Sequence, residues 1–198
     1  MADYLKAVDY ALKRLENDVP QKLTYHSIAH TRDDVVVACQ LYADRINLPD
    51  SDRLLLLTAA WYHDLGFIHQ VKDHEEISVE IARANLPLFG YTPYQINIVS
   101  DLIMATKMPQ QPHTDLEKLL ADADMDSLGR EDFFDVCVRL RDEIQHYGMI
   151  FSEFEWWDFE LKFLLNHTYF TQVAAELRNA QKQKNLAELR RRVQLYAS

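Results

Sequence analysis

The sequence predicts an all-α protein, and three observations support this fold class. The chain of 198 residues has only four glycines and six prolines, too few for a turn-rich β architecture. Residues that favour helices, such as Leu, Ala, Glu, Lys and Gln, are abundant instead. Segments of the capping-box form, Ser/Thr/Asp-x-x-Glu/Gln, recur before apolar residues at helical spacing. With 48% hydrophobic residues, the chain can form the core of a single domain over residues 1–198.

The apolar periodicity predicts about eight helices joined by short loops. They are expected near residues 3–16, 27–47, 51–65, 74–86, 93–106, 115–127 and 131–147, followed by a last stretch over 153–196, for which the pattern leaves open one continuous helix or a helix with a bend or break. Capping-box patterns begin at Asp73, Thr92, Thr114 and Ser152. Loops are marked by prolines at positions 20, 49, 87 and 109. The basic segment 178–192, with Lys182, Lys184, Arg190 and Arg191, is predicted to be a solvated helix face.

Charge and composition exclude several classes of function. A formal net charge of −10 repels a phosphate backbone, so no nucleic-acid partner is expected. The N-terminal segment has charges among its apolar residues, and no apolar run reaches the roughly 20 residues of a membrane span. Cys39 and Cys137 lie far apart and outside any Cys-x-x-Cys pattern, which is typical of free thiols in a reducing compartment. We therefore expect a cytoplasmic protein without a membrane partner, and the sequence leaves its oligomeric state open.

Histidine and aspartate occur together in three places that suggest a metal site. His63 and Asp64 end an apolar run that begins at Leu54. His26 and His30 are four residues apart, so in a helix they would project from one face. An acidic segment, 121–126, ends another helical pattern. Imidazole and carboxylate groups from several helices are the usual ligands of divalent metals in helical folds.

Each of these patterns also fits a structural role when it is taken alone. A His-Asp pair at a helix end is often a hydrogen-bonded cap, and an acidic segment is often a solvated turn. Their joint occurrence in one helical chain favours a metal centre.

The combined patterns resemble the HD-domain superfamily of metal-dependent phosphohydrolases, whose signature is a His, then His-Asp, then a distant Asp. The resemblance covers roughly residues 20–135, and the helices over 153–196 lie outside it. It is carried by YHSIAHT at 25–31, AAWYHDLGF at 59–67, DHEEISVEIA at 73–82 and LLADADMDSLGR at 119–130.

The resemblance implies a set of metal ligands. His30 would be the first ligand, His63 and Asp64 the next two, and either Asp124 or Asp122 the last. Helical phase favours Asp124, because it shares a face with Leu120 and Leu128, whereas Asp122 shares a face with Lys118. The chain could leave the helix near Gly129, so Asp122 remains the alternative.

The resemblance also implies roles in catalysis and binding. His26 matches the histidine that protonates the leaving oxygen in related cyclic-nucleotide phosphodiesterases, and Asp64 would serve the catalytic centre as well as the metal. His74 could contact the phosphate, and Lys107 and Arg130 are further candidates for that contact. Two-metal relatives have an additional histidine where this chain has Thr106 and Lys107, which favours a single metal.

The expected activity is hydrolysis of a nucleotide or a similar small phosphate ester. One divalent ion, which could be Mn, Fe, Ni, Zn or Mg, would activate a water molecule and offset the charge of the substrate. The alternative is a catalytically silent ligand-binding or regulatory HD domain that retains the metal site. A purely structural helical bundle would bind no metal at all.

Overall fold

The computed structural model describes residues 2–197 and has nine α-helices and no strand in this range, which confirms the all-α prediction. The α-helices are α1 (Tyr4–Asp18), α2 (Val36–Arg45), α3 (Asp50–Tyr62), α4 (His74–Asn85), α5 (Pro93–Met104), α6 (Asp115–Asp124), α7 (Phe133–His146), α8 (Glu153–Asn166) and α9 (Gln172–Tyr196). A π-helical turn, His30–Val35, leads into α2. Short 3-10 turns follow α3, α4 and α6, at Leu65–Ile68, Leu86–Phe89 and Asp126–Gly129.

The helix starts follow the capping patterns with one exception. The capping boxes over 92–95 and 152–155 are complete, with the reciprocal side-chain and backbone bonds. Thr114 accepts a hydrogen bond from the backbone of Glu117 at the start of α6. The prediction of a cap at Asp73 was wrong: its backbone is left-handed, with φ of 55°, and its side chain makes no capping bond.

The buried apolar side chains form two clusters. The larger cluster is built mainly from α1 to α6, and includes Tyr42, Leu56, Leu102 and Leu120. The smaller cluster joins α7, α8 and α9 through Phe133, Trp156, Leu164 and Leu189. The chain passes from the first cluster to the second at the end of α6. Leu120, in α6, belongs to the first cluster, and Leu128, in the turn after α6, belongs to the second.

The predicted stretch over 153–196 is broken into two helices. His167, after α8, has an extended backbone, and Thr171 caps α9 by accepting a bond from the backbone of Ala174. The prediction of a solvated basic face was wrong for Lys182, which is buried and donates to the carbonyl oxygen of His167. It was also wrong for Arg178, which donates two hydrogen bonds to Asp126, at 2.6 and 2.9 Å.

The remaining basic side chains of α9 differ in exposure. Lys184, Arg190 and Arg191 are exposed, as predicted. The guanidinium of Arg192 stacks instead over the rings of Phe134 and Trp157. This contact explains how a helix with many charges can pack against a core, because a guanidinium is attracted to the face of an aromatic ring.

Two further expectations concern the thiols and the membrane. Cys39 and Cys137 are both buried and free, as expected. Within residues 2–197, every helix is too short or too polar to cross a membrane.

Candidate metal centre

The predicted metal ligands lie at the ends of three helical segments. His30 begins the π-helical turn before α2, His63 and Asp64 follow the last residue of α3, and Asp124 is the last residue of α6. Helices α2, α3 and α6 pack against one another. This packing brings side chains that are distant in sequence to one buried place.

The ligand atoms of these residues converge. His30 Nε2 lies 3.1 Å from Asp124 Oδ1 and 3.6 Å from Asp64 Oδ2. His63 Nε2 lies 3.2 Å from Asp64 Oδ2 and 3.6 Å from Asp124 Oδ1. We refer to His30, His63, Asp64 and Asp124 as the His-Asp cluster. One atom from each of His30, His63 and Asp124 lies within 4.8 Å of the others, the spacing expected of metal ligands.

Three atoms of the cluster are buried without a hydrogen-bond partner. One is His30 Nδ1, which lies 3.8 Å from Asp34 Oδ2. The other two are Nε2 of His63, a residue only 1% exposed, and Oδ2 of Asp64. They are 3.2 Å apart but are not oriented to form a hydrogen bond. His63 Nδ1–H donates instead to the carbonyl oxygen of Ala60, at 2.8 Å, which turns Nε2 toward the cluster. Buried polar atoms without partners are costly, and a shared cation would satisfy both.

The spacing of the cluster fits a divalent metal. Ligand atoms about 2.1 Å from one ion are about 3.0 to 3.4 Å from their neighbours in octahedral or tetrahedral geometry. The four separations in the cluster, from 3.1 to 3.6 Å, are close to this range. Two imidazoles and two carboxylates also match the donor set of Mn, Fe, Ni or Zn.

The electrostatics of the cluster favour bound positive charge. Burial would lower the pKa of His30, but its hydrogen bond to Asp124 and the nearby carboxylates of Asp34 and Asp64 raise that pKa to about 9. Burial would raise the pKa of Asp124, yet His30 and His63 hold it below its usual value. The carboxylates that favour protonated histidines would also attract a metal cation that replaces those protons.

Asp122 occupies a different environment from Asp124. Its Oδ1 accepts a hydrogen bond from the backbone of Phe170, and its Oδ2 accepts two from the backbone and hydroxyl of Thr171. Burial raises its pKa, although these bonds oppose the rise. The carboxylate of Asp122 therefore holds the start of α9, whereas that of Asp124 lies in the His-Asp cluster.

His26 lies beside the cluster, although it precedes the helical segment that begins near His30. Its Nδ1–H donates to Glu143 Oε1. Glu143 Oε2 accepts from the backbone N–H groups of Tyr25 and His26, at 2.8 and 2.9 Å. Burial would raise the pKa of Glu143, but the hydrogen bonds and charge of His26 lower it. One buried carboxylate on α7 thus fixes both the ring and the backbone of His26.

His74 approaches the cluster from α4. Its Nε2 is 3.4 Å from Asp64 Oδ1, and its ring stacks on Phe67 with centroids 3.9 Å apart. The ring of Phe67 also stacks on His26, with centroids 4.2 Å apart. A Cβ on Gly66 would lie 1.9 Å from the carbonyl oxygen of His74, so only glycine permits this close approach. The structure therefore brings His26 and His74 together around one aromatic ring.

The two predicted basic contacts already have acidic partners. The ammonium of Lys107 donates to Asp73, at 2.8 Å, and to Glu76. Arg130 contacts Asp34 Oδ1 at 2.6 Å, and Oδ2 of that residue lies 3.8 Å from His30 Nδ1. Arg130 thus borders the cluster through one intervening carboxylate.

Three neighbours of the site were not predicted from sequence. Glu143 is 117 residues from His26, and no local pattern connects them. Asp34 follows His30 at the helical spacing of four, a signal that could have been used. Tyr25, whose ring centroid is 4.6 Å from that of His30, stands within the recognised YHSIAHT segment.

Comparisons with known proteins agree with the fold. The structure is similar to the crystal structure of a predicted HD superfamily hydrolase from an uncultured Thermotogales bacterium, with a TM-score of 0.60 and 21% sequence identity. The likeness covers 95% of this chain and 88% of that chain, and at this identity it shows the fold alone. No match is found among curated proteins. The model of the HD domain matches residues 28–127, half of the sequence, and the chain therefore belongs to the HD domain family.

Proposed function

We propose that this protein is a metal-dependent phosphoric ester hydrolase acting on a nucleotide or a similar small phosphate ester. The His-Asp cluster would hold one divalent ion, which could be Mn, Fe, Ni, Zn or Mg. The observation that carries the proposal is the convergence of buried, unpartnered His63 Nε2 and Asp64 Oδ2 with the facing atoms of His30 and Asp124. A bound divalent ion lowers the pKa of a coordinated water and offsets phosphate charge.

His26 is the proposed general acid. Glu143 accepts a hydrogen bond from Nδ1–H of His26, which leaves Nε2 of the ring as the atom that transfers a proton to the leaving oxygen. The stack on Phe67 and the backbone bonds to Glu143 limit the motion of the ring. Protonation of the leaving oxygen needs this fixed orientation, because proton transfer requires hydrogen-bond distance.

His74 is the first candidate for contact with the phosphate, because its Nε2 lies beside Asp64. Lys107 and Arg130 are kept as further candidates. Each would have to exchange a carboxylate partner for a phosphate oxygen, since both are already ion-paired. We also propose that the chain is a single domain located in the cytoplasm. In that reducing compartment the thiols of Cys39 and Cys137 stay free.

The test combines metal content with turnover. The purified protein is analysed for bound metals, then stripped and reloaded separately with Mn²⁺, Ni²⁺ and Mg²⁺. Nucleotides, p-nitrophenyl phosphate and bis-p-nitrophenyl phosphate serve as substrates. We expect metal-dependent hydrolysis by the wild type. We expect no bound metal in His30→Ala, and unchanged metal in His69→Ala, which removes an exposed histidine.

Two outcomes would contradict the proposal in different ways. Bound metal without turnover on any ester would refute the hydrolase and favour the silent ligand-binding domain. Absence of bound metal under every loading condition would refute the metal centre itself. Circular dichroism of His30→Ala, expected to match the wild type, separates loss of the site from loss of the fold.

A further inference from the structure

An apolar cavity of about 190 Å³ lies beside His26. Its walls come mainly from α7, α8 and the turn before α7, including the rings of Phe133, Phe159 and Phe163. Most of these residues follow position 127, where the match to the HD domain ends. The cavity is therefore built largely by the part of this chain that the family model does not describe.

One acidic side chain interrupts the apolar walls. Glu160 lines the cavity, is only 3% exposed, and has no hydrogen-bond partner for its Oε1. Burial raises its pKa to about 7, although a hydrogen bond with the thiol of Cys137 opposes the rise. A buried polar atom without a partner destabilises the fold, and the apolar packing around Glu160 does not supply one.

The cavity adjoins the proposed catalytic centre. Tyr25 and His26 both line it. The ring centroid of Tyr25 is 4.6 Å from that of His30, and the centroid of His26 is 5.9 Å from the same ring. A substrate with its phosphate at the His-Asp cluster would thus have its alcohol portion next to the cavity, on the side of His26.

The volume of the cavity limits the size of the group that can bind in it. A cavity of about 150 Å³ in another protein binds benzene, so a cavity of about 190 Å³ can hold one six-membered ring. A fused two-ring system would require expansion of a wall that is packed with aromatic side chains. The unpartnered oxygen of Glu160 adds a requirement for a hydrogen-bonding edge on that ring.

We propose that this cavity binds a single heteroaromatic ring in the alcohol portion of the substrate, with Glu160 hydrogen-bonded to the polar edge of the ring. The inference rests on the proposed hydrolase function and narrows its substrates to esters of pyrimidine nucleosides or compounds of the same ring chemistry. Phe133, Phe159 and Phe163 contact the ring, and Glu160 selects rings that present N–H groups.

The first measurement tests binding without catalysis. Saturation-transfer NMR is recorded with cytidine, adenosine and ribose, each at millimolar concentration. We expect the cytidine ring to bind the wild type, and ribose to show no binding. Glu160→Leu should weaken cytidine binding by about tenfold, the effect of losing one hydrogen bond. Glu160→Gln, which keeps a hydrogen-bonding group of the same shape, should weaken it less.

A second variant blocks the cavity without touching Glu160. Leu140→Trp adds volume at the cavity wall, and Leu165→Trp is its matched control, because Leu165 is 50% exposed on α8. We expect the first to abolish cytidine binding and the second to leave it unchanged. In turnover assays, the preference for cytidine monophosphate over glycerol phosphate, measured as kcat/KM, should fall at least tenfold in Leu140→Trp only.

The outcomes separate this inference from the proposed function. Hydrolysis of glycerol phosphate without detectable cytidine binding would overturn the inference and leave the hydrolase standing. Cytidine binding that depends on Glu160, with no hydrolysis of any ester, would support the cavity assignment and refute the hydrolase. Unchanged cytidine binding in Glu160→Leu, or equal binding of adenosine, would overturn the assigned ring chemistry.

Discussion

The substitutions Asp124→Asn and Asp122→Asn should affect different properties, metal binding in the first case and stability of the fold in the second, although both residues lie at the end of α6. Asp124→Asn removes a charged donor from the His-Asp cluster. Changes to the partners of metal ligands alone cost about 10- to 100-fold in affinity, so loss of the ligand should weaken metal binding by at least about 100-fold. Asp122→Asn should leave the metal in place, because that carboxylate bonds to Phe170 and Thr171.

Asp122→Asn should instead destabilise the fold. The two oxygens of the Asp122 carboxylate accept three hydrogen bonds, at 2.8, 2.8 and 2.6 Å. In Asp122→Asn an NH₂ group replaces one of these oxygens, and this group donates hydrogen bonds but cannot accept them. Losing one such bond and leaving a buried N–H without an acceptor should cost about 2 to 3 kcal/mol. For a chain of this length, that cost lowers Tm by about 4 to 12 °C.

The two variants make a matched pair, since each carries the same chemical change on the same helix. Metal content is measured by elemental analysis after dialysis, and stability by thermal and urea unfolding of the metal-free proteins. The reasoning is refuted if Asp122→Asn loses the metal while Asp124→Asn retains it. A Tm for Asp122→Asn equal to that of the wild type would refute the capping role.

Three further predictions follow from the contacts of the site and of the cavity. His26→Ala should keep the metal and lower kcat about 100-fold or more, and Glu143→Gln should lower kcat less, as steady-state kinetics and metal analysis will show. Gly66→Ala should destabilise the protein by about 3 kcal/mol in urea unfolding, because its Cβ would overlap the carbonyl oxygen of His74. In the folded protein the pKa of Glu160 is about 7, whereas its ordinary value, expected in the unfolded chain, is 4.5. The folded protein therefore binds more protons between these pH values, and the contribution of Glu160 to the free energy of unfolding falls by about 3 kcal/mol as pH rises from 4.5 to 7. Urea unfolding across this range should show that decline in the wild type relative to Glu160→Gln, and parallel pH profiles would contradict it.

The helical class and most helix positions could be predicted because they depend on local patterns. The capping boxes at Thr92 and Ser152 and the apolar run ending at His63 are signals contained within one helix. Asp73 shows the limit of such signals, because its left-handed backbone directs the carboxylate away from the helix start and toward Lys107. The single-domain boundary at 1–198 and the assigned roles of the site residues stay predictions.

The partners of the site residues were harder to predict, because they come from other helices. Glu143 reaches His26 only when α7 packs beside the segment before α2, and nothing near His26 in the sequence signals that contact. The cavity around Glu160 depends in the same way on the packing of α7 against α8. Tertiary contacts of this kind carry no local periodicity, so a single sequence identifies the ligands better than their surroundings.

The acidic segment at the end of α6 shows how the C-terminal helix supports the site. Asp122 holds the backbone before α9, and Asp126, in the turn after α6, accepts two hydrogen bonds from Arg178 and one from Tyr42. The chain is thus held on both sides of Asp124, by α9 and by the loop before it. Taken alone, this acidic segment also fitted a solvated turn, because acidic residues usually face water. The partners that bury the flanking pair belong to α2, α9 and the loop before α9, which sequence spacing does not reveal. Asp124 is thus fixed between two anchored neighbours, which limits the motion of its carboxylate relative to His30 and His63.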